Sequence, residues 1–113
     1  MADTIFMKII RREIPAAIVF EDDLCLAFRD VNPQAPTHIL IVPKQPLAML
    51  SDTNSGHGPL LGHLLLTANQ IAAQLDLKNG YRLVINNGAA AGQTVFHLHV
   101  HLLAGRSFSW PPG

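Results

Sequence analysis

Three histidines alternate with single apolar residues near the C-terminus, in the segment 97–103, which reads HLHVHLL. Alternation with period two is typical of a β-strand, and it predicts that His97, His99 and His101 share one face, about 6–7 Å apart. The apolar residues between them would then face a core. Near neutral pH an imidazole can act as a nucleophile, a proton carrier or a hydrogen-bond donor. This segment is therefore the first candidate for chemistry.

Two kinds of ligand suit such a row of histidines. Imidazole is a common zinc ligand, but a strand does not easily bring a third ring onto the same ion, and no carboxylate or thiolate lies nearby in the sequence. Phosphate is favoured by the loop 87–92, whose two glycines allow backbone N–H groups to face an anion. Gln93 and Thr94 add side-chain donors, and Asn86 can add another. A metal site and simple packing of the histidines remain the alternatives.

Composition limits the other classes of function. The 113 residues predict one domain, 1–113, that is 49% hydrophobic and 14% charged, as in globular proteins. Eight basic residues balance eight acidic ones, so no basic surface is expected for nucleic acid. We expect neither a signal peptide nor a membrane helix, since the first residues lack a basic region followed by an apolar stretch and no apolar run approaches ~20 residues. The single cysteine, Cys25, fits a reducing compartment, and we expect a cytoplasmic protein.

Two helices and five strands must position the histidines. A short helix is predicted from Asp3 or Thr4 to about Arg12, and a long one from Pro59 to a stop at Asn79-Gly80. Its apolar stripe spans residues 60–75. The predicted strands are 18–21, 24–29, 38–42, 81–86 and 94–103. Short connections favour antiparallel pairing, which gives an α+β fold with a five-stranded antiparallel sheet. The tail 105–113 should lack regular structure.

The segment 97–103 matches the pattern His-φ-His-φ-His-φ-φ, where φ is apolar, which is typical of histidine triad (HIT) proteins. Further blocks extend the likeness along nearly the whole chain: Asp3–Phe6, Glu13–Ala16, Phe20–Asp23, Ala27–Phe28, Pro33–His38 and Trp110–Gly113. The sequence thus resembles the nucleotide-binding branch of the histidine triad family.

This resemblance implies a hydrolase of purine nucleoside 5′-phosphoramidates that needs no cofactor or metal. His99 would attack the α-phosphorus, an amine would leave, and water would release AMP or GMP from the nucleotidyl-histidine. His101 would bind the phosphate, and His97 and His38 would orient groups or relay protons. Thr94 replaces a serine that is usual in this branch and that helps to protonate the amine; threonine keeps the hydroxyl but restricts χ1. A nucleotide-binding scaffold with incidental hydrolysis is the alternative.

The resemblance also implies a nucleotide site and a homodimer. Asp30 would bind the ribose hydroxyls, although a carboxylate before Asn32-Pro33 equally suits a turn cap. The phosphate would be held by Asn86, Gly92, Gln93, Thr94, His99 and His101. The base would lie against Ile5, Phe6, Ile9, Ile14, Phe28 and Val31, which equally suit an ordinary core. The tail would bring Trp110 to the leaving-group side of the partner's site, and the long helix would pack at the dimer interface. Its leucine stripe is rich enough to serve both core and interface: Leu60, Leu61, Leu64 and Leu65.

Overall fold

The computed structural model describes residues 3–113, and the first two residues of the predicted domain 1–113 lie outside that part. Its regular elements are α1 (Ile5–Ile10), β1 (Ile18–Glu21), β2 (Cys25–Arg29), β3 (Thr37–Pro43), α2 (Gly58–Gln74), β4 (Arg82–Val84) and β5 (Val100–Ala104). The strands form one antiparallel sheet in the order β1-β2-β3-β5-β4. The predicted α+β class, with two helices and a five-stranded antiparallel sheet, is confirmed.

Each face of the sheet packs against one helix. The buried residues Leu64 and Ile71 of α2 pack on the face that carries Leu102. The opposite face carries Phe28, against which Phe6 of α1 packs edge to face with ring centroids 5.4 Å apart. Alternate residues of the central strands thus enter two separate apolar layers, as period two requires.

β5 begins later in the chain than the sequence predicts. The strand expected from Thr94 starts at Val100, so His101 is the one histidine of the triad within the ladder. β3 ends at Pro43, which has no N–H to donate, and its ladder with β5 stops at the pair Ile41–Val100. The missing donor accounts for the early end of the pairing.

The segment before β5 keeps the predicted alternation of side chains without the ladder. The Leu98 N–H donates to the Leu47 carbonyl at 2.6 Å, and the Leu98 side chain is buried in the layer beneath α2. The rings of His97 and His99 lie on the other side, with centroids 6.3 and 5.0 Å from that of Phe6. The sequence pattern therefore predicts the faces correctly and the strand boundary wrongly.

Both helices end earlier than predicted, before residues with left-handed backbone. α1 ends at Ile10 rather than near Arg12, because Arg12 itself adopts a φ of 62°. α2 ends at Gln74 rather than at Asn79-Gly80, because Asp76 has a φ of 58°. Aspartate tolerates this conformation better than most residues, so it can end a helix where glycine is usually expected.

The other boundaries lie closer to expectation. β1 has the predicted bounds, β2 and β3 agree within one residue at each end, and β4 is shorter than the predicted 81–86. Leu65 and Leu75 of the predicted apolar stripe are exposed. The tail 105–113 has neither helix nor strand. Within residues 3–113 no helix is long and apolar enough to cross a membrane.

Candidate active site

A cavity of about 590 Å³ lies where α1 faces the sheet. It brings together most of the predicted site residues: Ile5, Phe6, Ile9, Ile14, Phe28, Asp30, Val31, His38, Gly92, Thr94, His99 and His101. Four predicted residues do not line it: Asn86, Gln93, His97 and Trp110. The cavity therefore joins the phosphate-binding, ribose-binding and base-binding candidates in one continuous space.

His99 is held in one tautomer by the backbone. Its Nδ1 lies 2.7 Å from the carbonyl oxygen of His97, and since a carbonyl only accepts, Nδ1 carries the hydrogen. Nε2 then keeps its lone pair. Burial lowers the pKa of His99, and the hydrogen bond to His97 offsets this only in part, so the ring is neutral at neutral pH. The cavity thus contains a neutral imidazole suited to nucleophilic attack.

His38 and His101 form a second histidine pair with a defined direction. The Gln34 N–H donates to His38 Nδ1 at 3.0 Å, so His38 carries its hydrogen on Nε2. That Nε2 lies 2.9 Å from His101 Nδ1, which must accept. Burial lowers the pKa of His38, and it lowers that of His101 to about 4. Neutral His101 therefore carries its hydrogen on Nε2, which is buried and bonds no group in residues 3–113.

Asp30 has two oxygens in different surroundings. Oδ1 accepts the Asn32 N–H at 2.8 Å, which is the turn cap considered from the sequence. Oδ2 lies 3.5 Å from His38 Nε2, where its charge raises the pKa of His38 against the larger effect of burial. Capping the turn therefore leaves one carboxylate oxygen beside the cavity and the histidine pair.

His97 lies behind the cavity. It is fully buried, and its Nε2–H donates to the Pro43 carbonyl at 2.7 Å. Its Nδ1 has no hydrogen-bond partner in the described chain, and burial lowers its pKa. Since the carbonyl of His97 accepts from His99, His97 acts on the site through the backbone, by fixing the ring of the neighbouring histidine.

The loop before the histidines reaches the cavity through two residues. Gly92, with a φ of 96°, and the exposed Thr94 both line it. A Cβ at Gly92 would lie 3.7 Å from Asn86 Nδ2, so Asn86 stands beside this loop although it does not line the cavity. Gln93 is buried, and its amide bonds other protein groups instead of facing the cavity.

The apolar residues that line the cavity differ in how exposed they are. Phe6, Ile9 and Phe28 are buried and also pack in the core, so packing alone accounts for them. Val31 is 99% exposed and Ile5 is 52% exposed, yet both line the cavity. Core packing therefore does not account for Ile5 and Val31, which leave apolar surface at the open rim of the cavity.

Sequence reasoning missed residues that act through their backbone or at the cavity edge. Gln34 fixes the His38 tautomer with its N–H, for which no side-chain signal exists in the sequence. Leu40 and Val95 line the cavity as well, and alternation along β3 could have identified Leu40. Trp110 is 81% exposed in the tail, where Arg82 donates to the Ser109 carbonyl at 2.9 Å, and it lies away from this chain's own cavity.

Two groups within residues 3–113 have metal-ligand atoms within 4.8 Å of one another. In the first, Asp30, His38 and His101, the facing histidine nitrogens already share a hydrogen bond. In the second, Asp22, Cys25 and His63, the carboxylate bonds the imidazole at 2.7 Å, and burial raises the pKa of Cys25 to about 11. In each group, two of the three side chains already bond each other, His38 with His101 and His63 with Asp22.

Comparison with known proteins gives a consistent result. A family model described as HIT domain matches residues 11–108. An uncharacterized HIT-like protein of Synechococcus elongatus is 70% identical over 111 residues, which cover 98% of this chain and 97% of that protein. The 14 kDa zinc-binding protein of Zea mays is 54% identical over 112 residues, which cover 97% of this chain and 88% of that protein.

Solved structures agree with these relatives. The HIT family hydrolase from Legionella pneumophila has a TM-score of 0.96 and 49% identity, and the match covers 98% of this chain and all of that one, 100%. The histidine triad nucleotide-binding protein from Candida albicans has a TM-score of 0.82 and 32% identity, covering 96% of this chain and 83% of that one.

Proposed function

The chain belongs to the HIT domain family, and on that premise we propose that it hydrolyses purine nucleoside 5′-phosphoramidates to AMP or GMP and an amine. Its fold is shared with a HIT family hydrolase and with a histidine triad nucleotide-binding protein. The observation that carries the proposal is the hydrogen bond from His99 Nδ1 to the His97 carbonyl, which leaves a lone pair on Nε2.

The first step uses that lone pair. His99 Nε2 attacks the α-phosphorus, the P–N bond breaks, and the amine leaves with a proton from a nearby donor. The imidazole becomes cationic while it carries the nucleotidyl group, and its Nδ1–H stays bonded to the His97 carbonyl. Thr94 supplies a hydroxyl at the cavity edge for the proton transfer. Water then attacks phosphorus and releases the nucleoside monophosphate.

The phosphate needs hydrogen-bond donors whose bonds strengthen as negative charge develops on its oxygens in the transition state. His101 Nε2–H is such a donor, because its other nitrogen is occupied by His38 and no protein group in the described residues accepts from it. Gly92 and Thr94 stand at the loop edge of the same cavity. Preorganised donors of this kind stabilise the transition state more than the bound substrate.

The remaining contacts suit a nucleoside. Asp30 Oδ2 would accept from the ribose hydroxyls while Oδ1 holds its turn. Ile5 and Val31 would cover the purine from the rim, with Phe28 behind it. An apolar slot of this kind accepts adenine or guanine. The protein is then a homodimer in which the tail 105–113 carries Trp110 to the leaving-group side of the partner's site, in the reducing cytoplasm that a lone buried cysteine suits.

The test is turnover of an AMP–amine phosphoramidate by the wild-type protein and by His99→Ala, with His57→Ala as the matched control outside the cavity. We expect His99→Ala to lose at least ~100-fold of kcat/KM. Acid quenching followed by intact mass measurement should detect a nucleotidyl adduct in the wild type and none in His99→Ala.

Equal rates in wild type and His99→Ala, or no turnover in either, would overturn the nucleophilic mechanism. Tight AMP binding without turnover would favour the alternative, a nucleotide-binding scaffold. The maize relative has zinc binding in its name, whereas in this chain the facing atoms of both candidate clusters already bond each other.

A further inference from the structure

Gln93 lies between two residues that line the cavity, yet its own side chain is turned away from it. Gly92 and Thr94 reach the cavity, whereas Gln93 is only 3% exposed. A buried primary amide needs partners for two donated hydrogens and for its oxygen. All three requirements are met by protein groups, which makes this side chain a structural tie at the edge of the site.

The oxygen side of the amide closes the loop. Gln93 Oε1 accepts the Gly88 N–H at 2.8 Å, and the Gln93 backbone N–H donates to the Gly88 carbonyl at 3.1 Å. Gly88 has a φ of 91°, a conformation that glycine adopts without strain. Two hydrogen bonds between the same two residues clamp the turn that presents Gly92.

The nitrogen side of the amide ties the loop to the rest of the protein. Gln93 Nε2 donates to the Ala48 carbonyl at 2.8 Å and to the Val95 carbonyl at 3.1 Å. Ala48 belongs to the segment 43–48, which also accepts hydrogen bonds from the two residues before His99: from the His97 ring to the Pro43 carbonyl and from the Leu98 N–H to the Leu47 carbonyl. The segment 43–48 therefore holds both the loop that contains Gly92 and the residues that precede His99.

From these contacts we infer that Gln93 is a positioning residue, which sets the distance between the phosphate-binding loop and His99. This inference rests on the proposed function. It assigns Gln93 no contact with substrate; the side chain acts through Gly92 and Thr94. Since donors at this edge stabilise charge that develops in the transition state, displacing them should lower kcat more than it raises KM.

Two variants test the inference, with Gln74→Met on the exposed end of α2 as the matched control. Gln93→Met keeps the length and removes all three hydrogen bonds; we expect kcat to fall about 10- to 100-fold and KM to change less than about threefold. Gln93→Glu keeps the shape, but its carboxylate faces two carbonyl oxygens without a hydrogen to donate, so it should be at least as slow near neutral pH.

A pH series separates positioning from a general loss of stability. Lowering the pH from about 8 to about 5.5 protonates the carboxyl group of Gln93→Glu, whose pKa is raised by burial, and restores one donor. The ratio of its kcat to that of the wild type should therefore rise as the pH falls, while the ratio for Gln93→Met stays flat. A protein that is merely less stable would not recover activity in acid.

A kcat of Gln93→Met equal to that of the wild type, or a flat ratio for Gln93→Glu, would overturn the inference. An inert wild-type protein would overturn the proposed function instead. In that case, amide hydrogen exchange of residues 88–94 decides: faster exchange in Gln93→Met than in Gln74→Met supports the tie, and equal exchange overturns it.

Discussion

His38 donates to His101 and not the reverse, over a distance of 2.9 Å between Nε2 and Nδ1. The direction follows from the Gln34 N–H, which occupies the only other nitrogen of His38. A single backbone donor thus determines where two histidine hydrogens lie, that of His38 and that of His101, and it leaves the buried His101 Nε2–H without a partner in residues 3–113.

Replacing His38 should disorder this arrangement. His38→Phe keeps an aromatic ring but removes the donor to His101, whose two tautomers then become comparable in energy. We expect kcat/KM for an AMP phosphoramidate to fall by about tenfold, since only one tautomer donates to phosphate. Steady-state kinetics check this, with thermal unfolding to verify the fold. An unchanged kcat/KM would show that His38 does not control His101.

Acid should destabilise the protein in a defined range of pH. Burial lowers the pKa of His38, His97, His99 and His101 below the ordinary 6.5, that of His101 to about 4. The unfolded chain then binds more protons than the folded one as pH falls from 6.5 towards 4, so stability decreases over that window. Urea unfolding at a series of pH values measures the slope, and His101→Gln should reduce it. A slope equal to that of the wild type would contradict the assignment.

Thr94 can be tested through the leaving group. Thr94→Ala removes the hydroxyl, and Thr94→Ser keeps it with freer rotation about χ1. For a basic alkylamine leaving group we expect Thr94→Ala to reduce kcat by about tenfold, with Thr94→Ser equal to or faster than wild type. For a weakly basic aromatic amine, which departs with less help, the loss should be smaller. Equal losses for both amines would remove Thr94 from the proton transfer.

Asp30 can be tested by changing the ligand rather than the protein alone. Asp30→Asn still caps the turn, but it accepts less strongly from ribose hydroxyls. We expect about tenfold weaker AMP binding by calorimetry, in the range of a lost hydrogen bond to a charged group. The loss should disappear for 2′,3′-dideoxy-AMP, which lacks both hydroxyls. A loss that persists with this nucleotide would place the effect of Asp30 on the histidine pair.

The proposed dimer can be tested with a substitution on α2. Leu66 is 69% exposed and stands beside the exposed Leu65. Leu66→Glu should shift the protein from dimer to monomer in analytical ultracentrifugation, with its circular dichroism retained, because a charge in an apolar interface is costly to desolvate. Lys78→Glu, on the exposed turn after the helix, serves as the charge control. A wild-type monomer would overturn the predicted assembly.

Much of the architecture could be predicted from local pattern. Alternation in the central strands gives their faces, and Pro59 marks the first turn of α2. The helix stops could not be predicted, because Arg12 and Asp76 take a positive φ where glycine is the usual signal; at each stop the next N–H bonds back into the helix, to the Lys8 or the Ala72 carbonyl. The start of β5 at Val100 depends on β3, where Pro43 has no backbone N–H to donate. The sequence of β5 itself does not reveal this.

The candidate site divides in the same way. Histidine spacing and the glycine loop identify side chains that can do chemistry, and the cavity brings most of them together. Their protonation pattern depends on backbone groups of Gln34, Pro43 and His97, which carry no signature in residue type. The buried position of Gln93 is equally a result of distant contacts, through Ala48.

Pro43 determines how far the sheet ladder extends towards His97 and His99. Any other amino acid at position 43 would add a backbone N–H at the point where β3 could extend its pairing along residues 97–99. Further pairing would bring the backbone of His99 into the ladder. It would also separate the His97 ring from the carbonyl of residue 43, to which it donates. Pro43 therefore limits the pairing of β3 with β5, and the segment that carries His97 and His99 stays outside the sheet ladder.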